Sequence, residues 1–139
     1  MKFLYVFLFF TLLAGCDAKD KIVEDQTMKL LMQAVTTGQW KVTSFTKGGV
    51  DITSDFTPYK FQFKDNYTVD AINYGNVEKS GTWNATGDIN AQTIHSNFTN
   101  AAHPLILING SWNVITTTWT SVHANQVVNG ETLVMKLEK

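Results

Sequence analysis

Tyr59-Lys60-Phe61-Gln62-Phe63-Lys64-Asp65-Asn66-Tyr67-Thr68-Val69-Asp70-Ala71-Ile72-Asn73-Tyr74 is the stretch that decides the fold. Tyr59, Phe61 and Phe63 share one face of an extended chain, and Lys60, Gln62 and Lys64 share the other. That strict period of two is the mark of a half-buried β-strand. Asp65-Asn66 then supplies turn chemistry, and the chain returns as a second strand over 67–74. Downstream the pattern repeats. Gly75-Asn76 turns into a strand over 77–85, and Thr86-Gly87-Asp88 leads to another over 89–98. Residues 99–104 read as a loop. Leu105-Ile106-Leu107-Ile108 reads as a buried segment that ends at Asn109-Gly110. Strands follow over 111–116 and 117–124, with the boundary between them open. Asn129-Gly130 is a hairpin turn into a last strand over 131–138. Upstream, Trp40 to Phe45 alternates loosely, Lys47-Gly48-Gly49 turns, and 51–58 is a longer connection.

About eight short strands joined by short turns, with no crossover helix, predict an all-β, antiparallel up-and-down barrel over 38–139. Closure removes the exposed edges that invite aggregation. A two-sheet sandwich is the rival. Before the barrel, residues 22–37 read as one short helix. Asp20 is placed to cap it, and Met28, Leu31, Met32 and Val35 form one apolar stripe, expected to pack on the domain that follows.

The first residues read as an address. Met1-Lys2 precedes an apolar run from Phe3 to Leu13, too short to span a ~30 Å hydrocarbon core as a helix and suited to a signal peptide. The run ends in Leu13-Ala14-Gly15-Cys16. These four residues resemble the bacterial lipoprotein lipobox. The resemblance implies removal of 1–15, thioether lipidation of Cys16 and acylation of the new amino terminus, with 16–21 as a tether. Several acyl chains at ~0.8 kcal/mol per buried methylene make a durable anchor, where one would be marginal. The expected location is the bacterial cell envelope, lipid-anchored, with the outer membrane ahead of the inner. Asp17, however, resembles a retention signal for the inner membrane in some Gram-negative envelopes.

Gly-x-Trp occurs three times, as Gly38-Gln39-Trp40, Gly81-Thr82-Trp83 and Gly110-Ser111-Trp112. In each, glycine permits a close or left-handed approach, and tryptophan two residues on closes a core layer. The first copy, behind a short helix and heading the first strand, resembles the lipocalin signature. Together with Lys41-Val42, the Tyr59 to Phe63 strand and Asn113-Val114, the three copies look like the lipocalin-like domains of small bacterial lipoproteins. That resemblance implies a small barrel with room for an apolar cavity and no established reaction. In lipocalins proper an arginine from the last strand covers the first tryptophan. This chain has no arginine, and Lys136 is the expected substitute.

Composition bounds the function. The 139 residues are 44% hydrophobic and 17% charged, enough apolar content for one domain with a core. Net charge is −1, and all 11 basic residues are lysine. Without arginine or a basic patch, nucleic-acid binding is not expected. The single cysteine rules out an internal disulfide. His95, His103 and His123 share no metal-ligand spacing, so no metal or other cofactor is expected. Asp51, Asp55, Asp65, Asp70 and Asp88 read as turn residues, and no Gly-x-Ser-x-Gly elbow occurs. The expectation is therefore not an enzyme. It is a lipoprotein whose Trp40, Phe61, Phe63, Trp83 and Trp112 bind a small apolar ligand. The alternative is a non-catalytic interaction, inhibitor or immunity lipoprotein that acts on an envelope partner through its outer surface.

Overall fold

A computed structural model describes residues 17–139. The signal peptide over 1–15 and Cys16 lie outside the described residues. Helix α1 runs Asp17–Thr36. It is followed by β1 (Lys41–Lys47), β2 (Val50–Asp51), β3 (Tyr59–Phe63), β4 (Thr68–Asn73) and β5 (Asn76–Gly87). Then come β6 (Gln92–Asn97), β7 (Gly110–Thr117), β8 (Ser121–Val128) and β9 (Glu131–Glu138). Short 3-10 turns at Thr53–Phe56 and Leu105–Ile108 fill two of the connections. The helix thus starts five residues before the expected Ile22. The stretch 17–21, expected as a tether, is its first turn, and Asp20 sits inside it instead of capping it. The segment at Leu105–Ile108, expected as buried, is a 3-10 turn with Leu105 and Ile108 inside and Ile106 outside.

All strands form one antiparallel sheet in the order β2-β1-β9-β8-β7-β6-β5-β4-β3. The sheet curls until its two ends meet. Trp40 and Phe61 exchange two backbone hydrogen bonds, each 2.8 Å, in a single bridge between the start of β1 and β3. With the two-residue β2 set aside, eight strands circle the core as a barrel-like shell. Bulges at Thr43 of β1, Glu78 of β5 and Ile115 of β7 supply curvature, because a bulge bends and twists its strand. The β1 shift also explains the loose alternation there: Val42 and Phe45, three apart, both point inward. Asn129 and Gly130, both with positive φ, make the two-residue turn that sets the β8–β9 register.

The shell is stoppered at both ends. At one end α1 lies against β3 and β5, with Leu31 and Val35 of its apolar stripe buried and Met28 and Met32 packed behind them. At the other end Phe56 stacks on Phe45 at 4.7 Å, and Leu105 and Ile108 close the rest. The three Gly-x-Trp tryptophans, all at most 3% exposed, tie these pieces together. Trp40 Nε1 donates to Val35 O at the end of α1 (2.8 Å), Trp83 Nε1 to Lys64 O after β3 (2.9 Å), and Trp112 Nε1 to Ile108 O (2.8 Å). Each indole buries its ring and donates to a backbone carbonyl at the end of a neighbouring segment. Glycine is required where another chain comes close. A Cβ on Gly81 would overlap the Asn97 carbonyl oxygen of β6, and one on Gly110 would overlap the Gln126 amide.

Candidate functional site

The expected ligand-binding aromatics are all buried, and four of the five meet. Trp40, Phe61, Phe63 and Trp112 line one internal void, along with Ile94, Ile108, Val122 and Met135. Trp83 is not on its wall. Its ring stands edge-on to Phe63 at 5.3 Å and beside Tyr67 at 6.4 Å. The void measures about 20 Å³. A single water needs roughly 10–15 Å³ on the same measure, so the space is about the size of one water and too small for an organic ligand. The side chains of an eight-stranded barrel are large enough to fill it, and here they do. Any larger guest requires the core to open.

The cation over the first tryptophan is Lys139, not the expected Lys136. Lys139 Nζ sits 4.7 Å from the Trp40 ring centre and donates to Ala34 O at 2.8 Å. Lys136 instead pairs with Glu138 on the surface at 2.9 Å. A residue past the end of β9 can turn back over the shell's end, which one within the strand cannot. Burial lowers the Lys139 pKa below the ordinary lysine value, and the carbonyl and the ring face offset part of that cost.

Two of the five aspartates read as turn residues bond into turns. Asp51 accepts from the Thr53 amide and hydroxyl, and Asp88 from the amides of Asn90 and Ala91. Asp55 instead bridges to His103, 2.7 Å away across the stoppered end. Asp70 departs from the turn reading altogether. It lies in the middle of β4, with its side chain only 10% exposed, 2.6 Å from Lys64 Nζ and accepting from Ser80 Oγ at 2.6 Å. The Lys64 bond, then that of Ser80, holds its pKa below the usual carboxylate range. His95, on the outer face of β6, contacts Thr86 Oγ1 through Nε2 (2.9 Å) and Ser111 Oγ through Nδ1 (2.8 Å). Hydroxyl partners of this kind orient an imidazole without supplying the negative charge that activates it as a base. Among the described residues no three His, Cys, Asp or Glu side chains gather as a metal site.

The feature missed in the sequence is an outer groove of about 440 Å³ at the helix-bearing end, between α1, the β5–β6 turn and the β7–β8 turn. Leu30, Ile89, Ile115 and Trp119 on its walls are each about half exposed. Ile115 is the unpaired residue of the β7 bulge, which turns it outward. Trp119 occupies the turn after that strand. A lone tryptophan between Thr116-Thr117-Thr118 and Thr120, at a strand boundary, was a usable signal. No family model, curated protein or solved structure matches the chain.

Proposed function

We propose that this chain is a lipid-anchored lipoprotein of the bacterial cell envelope. Its lipocalin-like barrel would be a non-catalytic binding module that works through its outer surface. The observation that carries the choice of surface is the 20 Å³ void, since a shell filled by its own aromatics leaves the outside to meet a partner. The anchor rests on Leu13-Ala14-Gly15-Cys16 after an apolar run of signal-peptide length. Helix α1 begins at Asp17, the residue after Cys16, so an acylated Cys16 would tether the barrel by its helix-bearing end. The opposite end, with the β6–β7 connection and the Asn129-Gly130 turn, would then face the partner.

The test is intact-mass analysis of the full chain made in a bacterial host, with a C16A variant beside it. The expected product lacks residues 1–15, carries a diacylglyceryl thioether and an amide-linked acyl chain, and stays with the membrane fraction. C16A keeps its leader. An unmodified chain secreted free of the membrane overturns the anchor. Saturable one-to-one uptake of an apolar ligand into the barrel overturns the choice of the outer surface.

A further inference from the structure

We propose that the groove at the helix-bearing end seats on the lipid bilayer itself, so that the barrel rests on that end instead of swinging from its anchor. This rests on the lipid anchor proposed above and adds an orientation to it. Four large apolar side chains, Leu30, Ile89, Ile115 and Trp119, crowd this one groove, each about half exposed. Among the described residues none that lines it carries a charge; Leu31 and Val114 add apolar surface deeper in, and the remainder are alanine, hydroxyl or amide side chains. A surface of that composition enters the interface without stripping water from an ion, and tryptophan is the residue that favours headgroup depth.

The chain outside the structure says which partner is present. Residue 16 adjoins the first residue of α1, and α1 itself forms one wall of the groove through Thr27, Leu30, Leu31 and Ala34. Leu30 lies 13 residues along the helix from Asp17, roughly 20 Å at 1.5 Å per residue. The headgroup layer on each side of a bilayer is only about 5–8 Å deep, so a helix standing upright would lift Leu30 clear of it. The groove therefore reaches lipid only with α1 lying along the surface. In that pose the β5–β6 and β7–β8 turns, at the same end of the shell, come down with it. Acyl anchoring at the helix start makes this contact intramolecular, so a patch too small to bind vesicles alone suffices.

The experiment uses the full lipidated chain in vesicles of phosphatidylethanolamine and phosphatidylglycerol, with and without bromine on the acyl chains, and compares it with W119F. Intact mass first confirms the lipid on Cys16. Trp40, Trp83 and Trp112 are at most 3% exposed, so the emission lost in W119F reports on Trp119. The expected result is a blue-shifted Trp119 signal, mostly lost in brominated vesicles and shielded from aqueous acrylamide. A lipidated chain whose Trp119 stays quenched by acrylamide and indifferent to bromine overturns the seating but leaves the anchor standing. A bare Cys16 overturns the anchor, and the orientation with it.

Discussion

Replacing Asp70 by asparagine tests whether the half-hidden ion pair on β4 contributes to stability. Asparagine keeps the shape and one acceptor for Ser80, but it removes the charge that faces Lys64 at 2.6 Å. A hydrogen bond to a charged group contributes about 1.5–3 kcal/mol, and an exposed ion pair about 0–1. Asp70 is 10% exposed on its side chain but Lys64 is 41% exposed, so the ammonium can return to water when its partner is lost. The expected cost is intermediate, about 1–2 kcal/mol, or roughly 4–8 °C in Tm for a domain of this size. The sign of the pH dependence follows from the lowered pKa. A carboxyl whose folded value lies below its unfolded value, about 3.9, contributes fully above that value and loses its contribution as pH falls through the folded one. Urea unfolding watched by tryptophan emission should therefore show wild type ahead of D70N at pH 7, with the gap closing below about pH 4. Equal stability at pH 7, or a gap unchanged at pH 3, would refute the reasoning.

Three other substitutions probe the core. G81A forces a methyl group onto the Asn97 carbonyl and the Phe98 ring, where β5 and β6 must part; a loss of about 1–3 kcal/mol in the same unfolding assay is expected. K139M removes the bond to Ala34 O and the cation over Trp40. It should cost about 0.5–1.5 kcal/mol after the desolvation it relieves, and faster amide exchange should be confined to the last turn of α1. F63A should cost about 3–5 kcal/mol. It should also widen the 20 Å³ void toward the ~150 Å³ at which apolar cavities take up benzene. Benzene should then raise the Tm of F63A and leave that of the wild type unchanged.

The parts of the fold legible in the sequence were those set by local chemistry. The alternation of Tyr59, Phe61 and Phe63 marked β3 to the residue, and Asn129-Gly130 marked the last hairpin. The inward stripe of α1 was also readable, since Leu31 and Val35 fall one turn apart. What failed depended on distant partners. The bulges that shift β1 and β7 respond to curvature of the whole sheet, so Val42 with Phe45, and the outward Ile115, break the simple period. Asp70, between Val69 and Ala71, was read as a turn residue, yet its role is set by Lys64 and by Ser80 on the neighbouring strand. The aromatic cluster was found, but whether it enclosed space depends on volumes that α1 and the 3-10 turns fill from outside the strands. The groove was missed because its walls come from three separate parts of the chain.

Titration of the full-length W119F chain with a long-chain fatty acid, read by the emission of Trp40, Trp83 and Trp112, bears most directly on whether this barrel works from the outside. Removing Trp119 takes the outer groove's own indole out of the signal. A filled interior predicts no saturable change in the remaining emission. Saturable one-to-one quenching of those buried indoles would contradict it.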